Sequence, residues 1–510
     1  YGNNPNVNPA LMSVDPSQRW NGDGINVVKI GLNLIQYMEC DNERDKWWKG
    51  RKGYQTGREY AANLSAFYDG HKNTMGPGVG VKNADPSMKI VMAGLASPFI
   101  GVDYIRGMID WCKEFRGYKP DGSVAWARTI VAAKASTVYL CAAATPGALY
   151  AVARCRDPGD YDFGNGAIVS TKDEFCSVLV KYGADGKTQW AKALSDKKLT
   201  ISDMVSDGNF LYLAGEFNGA LPGPDGSSIP SAVASLSACV MKLDLKGTML
   251  WASGLGDAGL KVYFNGIALG GGKLFACGTV GGKGSLTLSK ETSISINTAG
   301  KNTGILACID TDNGRVSWAN VPSVVSNNSS FMKVAATDTT VAVVGSLSQG
   351  SMLLESEVAL SAAEKSSGFM ISFSHEGKAI KAWSLEGRYS YSSATELSYI
   401  CASGSGFWLG GLLKSDNIYA LPGSMDAVVD NYQWTGLAFR LDADGKADQL
   451  IMADKSSPGM SGVSSVSALP SGALFMTGST WGIGMFTLSP GISVEGSSTK
   501  VAPYALFLLP

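Results

Sequence analysis

A glycine at the tip of a polar turn, followed by a tryptophan or a stand-in for it, recurs six times along this chain of 510 residues. The glycines are Gly122, Gly186, Gly247, Gly314, Gly377 and Gly445, spaced 64, 61, 67, 63 and 68 residues apart. Trp126, Trp190, Trp251 and Trp318 follow four residues later, Trp383 comes two residues late, and Gln449 stands where the sixth ring is due. Periodicity of this length marks a repeat architecture, in which each unit needs its neighbours to bury a core.

Each turn lies between β-rich runs. Val178 to Tyr182, Val240 to Leu243, Ile305 to Ile309, Phe369 to Phe373 and Leu437 to Leu441 precede it, and Asp-Gly or Asn-Gly at the tip is a strong hairpin signal. Further runs upstream, such as Phe210 to Gly215, Leu274 to Gly278, Val341 to Gly345, Phe407 to Gly411 and Leu474 to Gly478, supply a second strand pair. Four strands per unit predict the blade of a β-propeller, whereas a β-sandwich has no reason to repeat one marked turn so regularly. The small residue and glycine ending each upstream run suit strands crowded at a central axis. Tyr504 to Pro510 matches the strand before the turn, and the strand to follow it is found at the other end, Val124 to Arg128. The expectation is a mainly β fold: six four-stranded blades over about 124 to 510, closed by strand exchange, which removes exposed sheet edges.

These repeats resemble two known propeller types. Ile309-Asp310-Thr311-Asp312-Asn313-Gly314-Arg315-Val316-Ser317-Trp318 is similar to the PQQ-like repeat, and Tyr212 to Phe217 leading through a Gly/Ser/Pro-rich stretch to Val240 to Asp244 is similar to the bacterial SBBP repeat. The resemblance implies a secreted or surface protein and speaks to fold more than chemistry. A PQQ enzyme is disfavoured, because that cofactor usually sits in an eight-bladed disc.

Residues 1–120 are different material from the propeller domain of 121–510. Leu34 to Cys40 and Lys89 to Leu95 read as strands. Tyr60, Leu64, Phe67 and Tyr68, then Tyr104, Ile105, Met108, Ile109 and Cys112, mark helix faces. The pattern is a partial α/β (βαβα) segment. After the first strand comes Glu39-Cys40-Asp41-Asn42-Glu43-Arg44-Asp45-Lys46-Trp47-Trp48, which resembles the fourth strand of a clan A glycoside hydrolase (β/α)₈ barrel. That resemblance implies Glu43 as general acid/base, Asn42 holding a sugar hydroxyl, and Trp47 and Trp48 as sugar-stacking platforms. A retaining enzyme also needs a nucleophilic carboxylate about 5 Å away, and a whole barrel takes about 250 residues. The segment has fewer than half of these, and neither Glu59 nor Glu114, both on helical patterns, suits that role.

Composition narrows the classes. A net charge of −1 gives no basic footprint for nucleic acid, and no apolar run reaches the length of a membrane span. With two histidines, His71 and His375, a histidine-based metal site or a Ser-His-Asp triad has almost no material. The nine cysteines include no CxxC pair. Cys141 and Cys277 read as packing residues at matching places in their blades, and Cys155 and Cys176 bracket a loop they could bridge. That loop holds Asp157, Asp160 and Asp162. It reads either as a hard-oxygen site suited to Ca²⁺ or, lacking the distal Glu of an EF-hand, as an ordinary solvated turn. The chain opens on Tyr1, consistent with a trimmed secretory precursor. The expected function is a binding or scaffold disc for polysaccharide or surface-protein partners, extracellular or on a bacterial cell envelope, with glycoside hydrolysis through Glu43 as the alternative.

Overall fold

A computed structural model of the chain describes most of residues 130–508, with the backbone alone over 484–508. Before them it describes 37–40, 54–71, 81–84, 89–92 and isolated positions. The chain divides into two compact units, Tyr1–Ala127 and Arg128–Pro510. No helix among the described residues is long and apolar enough to cross a membrane.

In the first unit, strand β1 (Tyr37–Cys40) pairs in parallel with β2 (Lys89–Met92), with helix α1 (Gly57–Asp69) between them in sequence. Parallel strands need such a crossover. The helix starts on a capping box: Glu59 N donates to Thr56 Oγ1 at 3.3 Å, and Thr56 N donates to Glu59 Oε2 at 2.8 Å. It ends on left-handed Gly70. Its buried face is Gly57, Tyr60, Ala61 and Ser65, whereas Tyr68 is exposed, so the face is rotated from the one the aromatic spacing predicts. The Tyr60 hydroxyl donates 2.6 Å to the Cys40 carbonyl, tying the helix to the C-terminal end of β1.

The second unit is mainly β and propeller-like. Most of its described strands form antiparallel modules of four, at 137–193, 199–255, 260–320, 329–385 and 394–452, and a further module of three at 460–508; a parallel bridge of Ser366 with Ala394 joins the fourth and fifth into one sheet, and short hairpins stand apart from the modules. Within module 2 the order is Leu199–Ser206, Phe210–Phe217, Ser237–Asp244 and Met249–Leu255, each strand paired with the next, and the other modules follow it. The second and third strands are buried on both faces, hence their nearly unbroken apolar runs. Each junction has its own apolar layer: Leu179 and Leu199 lie in that of modules 1 and 2, Phe275 and Phe331 in that of modules 3 and 4, Leu409 and Val344 in that of modules 4 and 5. A module therefore has no core of its own; it borrows half of one from each neighbour.

Two sequence devices set this geometry. The first strand of every module carries a bulge, between Tyr139 and Cys141, Ile201 and Asp203, Phe264 and Gly266, Phe331 and Lys333, Leu397 and Tyr399, and Val463 and Ser465. Opposite five of these bulges stand Gly215, Gly278, Gly345, Gly411 and Gly478 of the second strand. A methyl group on the first four would collide with the carbonyls of Thr200, Tyr263, Ser330 and Glu396. These glycines thus answer to the bulged neighbour in their own sheet rather than to crowding at an axis. The bulge also corrects the matching of Cys141 with Cys277. Cys141 lies on a first strand, one residue past the bulge, and Cys277 lies on a second strand opposite Gly266, the residue that corresponds to Cys141.

The second device is the glycine and tryptophan pattern itself. The turns sit between third and fourth strands, with positive φ at Gly186, Gly247, Gly314, Gly377 and Gly445. The ring, however, meets the turn of the following module. A methyl group on Gly247 would lie 2.9 Å from Trp190, on Gly314 2.6 Å from Trp251, and on Gly377 2.9 Å from Trp318. Trp251 Nε1 donates 3.0 Å to the Thr311 carbonyl and Trp318 Nε1 donates 3.1 Å to the His375 carbonyl, both in those next turns. The repeat is a latch between modules.

Candidate functional site

First strands of successive modules pack against one another, and the residue just past each bulge is Cys141, Asp203, Gly266, Lys333, Tyr399 or Ser465. Two of these are charged and they meet: Lys333 Nζ lies 2.8 Å from Asp203 Oδ2, joining module 4 to module 2 past module 3. Ile267 N also donates to Asp203 Oδ2, at 3.2 Å, and Met204 N donates to Asp203 Oδ1 at 3.0 Å. Burial pulls the Lys333 ammonium toward neutrality, but the Asp203 carboxylate outweighs it and holds the amine above its ordinary range. Burial raises the thiols of Cys141 and Cys277 beside this pair. With both carboxylate oxygens accepting hydrogen bonds, the pair ties the modules together. Asp203 and Lys333 interrupt apolar runs, and that was the one sign of them in the sequence.

The second candidate lies on the rim that carries the third-to-fourth-strand turns. At the junction of modules 3 and 4, a cleft of about 430 Å³ is lined by Lys273, Asp310, Asp312, Trp318 and Glu376. Lys273 Nζ bridges to Glu376 Oε1 at 3.5 Å and donates 3.2 Å to the His375 carbonyl. At the junction of modules 4 and 5 a smaller cavity of about 140 Å³ is lined by Ser372, Lys381, Trp383, Phe407, Asp442 and Asp444, among others.

That smaller cavity marks a break in the latch. Cross-strand register pairs Lys181 with Trp190, Lys242 with Trp251 and Cys308 with Trp318, but Ser372 with Lys381. Lys381 therefore holds the latch position of module 4. Trp383 pairs with Met370 further along the strand and rests against Phe439, ring centroids 6.0 Å apart. Lys381 Nζ reaches the Asp444 carbonyl at 3.5 Å, a thin replacement for an indole ring.

The residues singled out in sequence fall elsewhere. Asn42, Glu43, Trp47 and Trp48 lie outside the described residues, immediately after β1. Asp157, Asp160 and Asp162 sit on and beside a hairpin of Gly159–Asp162 with Ile168–Thr171. Asp160 Oδ1 accepts from Ser170 Oγ at 2.5 Å, and Asp162 Oδ1 from Gly164 N at 2.7 Å, so one oxygen of each takes part in the hairpin's own hydrogen bonds. Among the described residues no three His, Cys, Asp or Glu side chains gather as a metal site. Cys155 and Cys176 do face each other across the second and third strands, yet all nine cysteines are free thiols.

No family model matches the chain, and no curated protein does. Solved structures similar to it include the hemagglutinin-neuraminidase ectodomain of parainfluenza virus 5, at 8% identity over 76% of this chain and 83% of that one, with a TM-score of 0.31. An apocarotenoid oxygenase of Synechocystis is 10% identical over 62% and 60%, TM-score 0.30. An exo-inulinase from Aspergillus awamori is 11% identical over 73% and 86%, TM-score 0.23. Scores this low leave the reading to rest on the chain's own residues.

Proposed function

We propose that residues 121–510 form a six-bladed propeller acting as a binding or scaffold disc, with glycan or protein partners outside the cell. On this reading the three-stranded module at 460–508 takes its fourth strand from Val124 to Arg128. One observation supports the ring: the Asp203 to Lys333 contact joins the first strands of modules 2 and 4, as blades around an axis would. What supports a binding role is the rim, where aromatic rings and paired charges line clefts at two successive junctions. The test is retention of the full chain on immobilised plant and host polysaccharides and on extracellular matrix proteins. Retention on neither class overturns the reading.

Glycoside hydrolysis is kept as a second reading on one observation. β1 pairs in parallel with β2, and Asn42 and Glu43 follow its last residue, Cys40, in sequence, which supports a (β/α) reading because such enzymes carry their catalytic groups at strand C-terminal ends. Sugar release by the wild type and its loss in Glu43→Gln would favour hydrolysis over binding alone.

A further inference from the structure

We propose that the cavity between modules 4 and 5 is a subsite for one neutral sugar ring, created by the replacement of the latch tryptophan with Lys381. The inference rests on the glycan half of the binding reading and adds the place and the ligand class.

The argument starts from what the other junctions show. Where Trp251 and Trp318 fill the space under the next turn, the indole gives the turn its apolar cover and one hydrogen bond, to Thr311 and His375 respectively. At module 5 the corresponding turn residue is Ala443, which lines the cavity. Lys381 is thinner than an indole, and its ammonium stops at the turn's edge, 3.3 Å from where a methyl on Gly445 would lie. The cavity of about 140 Å³ is lined by Lys381, which holds the latch position, and by Ala443, Asp444 and Gly445 of the next turn.

Its walls define the guest. The displaced Trp383 lines one side, its ring backed by Phe439 and so held in place. An aromatic ring offers a flat apolar surface to the C–H face of a pyranose. Ser372, Ser405 and Thr340 add hydroxyls that both donate and accept, and Asp442 and Lys381 add a strong acceptor and a strong donor. A flat body with one apolar face and hydroxyls around its edge matches this set, which a purely apolar guest would leave unsatisfied. Charge decides between neutral and acidic sugars: two carboxylates, Asp442 and Asp444, face one ammonium, so a sugar acid would meet net repulsion.

Isothermal titration of the full chain with neutral hexoses and N-acetylhexosamines, free and as short oligosaccharides, tests this alongside one acidic sugar. Lys381→Trp restores the latch and fills the cavity; Trp383→Ala removes the platform without filling it. The expected result is binding of at least one neutral sugar by the wild type, weakened tenfold or more in both variants, with the Lys381→Trp melting temperature equal to or above the wild type's. Unchanged binding in both variants overturns the subsite and leaves the glycan reading standing. No neutral sugar bound, or preference for the acidic one, overturns the subsite, and absence of all sugar binding takes the glycan reading with it. If Lys381→Trp fails to fold, the filled-latch geometry is wrong and Trp383→Ala alone decides the binding.

Discussion

At the scale of single residues, the tryptophans and glycines of the repeat act on each other across module boundaries. Trp251 is 8% exposed, its ring lies under Gly314, and its indole hydrogen is spent on Thr311. Trp251→Ala should cost about 3–5 kcal/mol, read by urea denaturation, because it leaves a cavity and removes one of the two hydrogen bonds on the Thr311 carbonyl, the other coming from Lys242 Nζ. The glycines permit a test that separates two effects. Gly272 and Gly314 have nearly the same φ, 75° and 73°, but nothing lies within 4 Å of a methyl on Gly272. Gly272→Ala should therefore cost backbone strain alone, about 1 kcal/mol, and Gly314→Ala clearly more, with the excess vanishing in a Trp251→Ala background. The thiols make a third case. Burial pushes Cys155 and Cys401 up to about 12, so neither is a thiolate near neutrality. Iodoacetamide should leave both unlabelled in the folded protein and label them in urea; labelling of the folded form would contradict their placement.

At the scale of elements, the sequence disclosed what repeats locally and concealed what depends on a neighbour. Third strands were legible from apolar runs such as Val240 to Leu243, and turns from Asp-Gly and Asn-Gly, because both signals are local. First strands were not, since a bulge shifts the in-out alternation midway, as between Ile201 and Asp203. For the same reason Cys141 reads like a second-strand residue. The contact between Trp251 and the next turn, about a module length away, leaves no local mark, although its periodicity does. The junction cavity had a signal that was in plain view, the lateness of Trp383. Only the register, Ser372 opposite Lys381, shows that the ring moved and a lysine took its place. Gly278 makes the bulge testable: Gly278→Ala drives a methyl into the Tyr263 carbonyl and should destabilise by about 1–3 kcal/mol. Substitution at Gly208, whose methyl would meet nothing within 4 Å, should show only the cost of its φ of 91°.

For the whole molecule, a layer of core at each described junction means that no module is stable alone, and that the proposed disc would stand on how its modules converge. The Asp203 and Lys333 pair is where convergence can be measured, because a chain of modules that did not curve around an axis would keep modules 2 and 4 apart. Its pH dependence follows from the raised lysine. The stability linked to the lysine's titration is fully present below its ordinary value of 10.5 and is lost as pH climbs through the higher folded value. The decisive measurement is a double-mutant cycle on Asp203→Asn and Lys333→Met, read by denaturant unfolding at neutral pH. Convergence predicts a coupling of about 1 kcal/mol or more, each single change costing more than its share of the double. Additivity within about 0.3–0.5 kcal/mol would mean the two residues do not meet, and would contradict the ring.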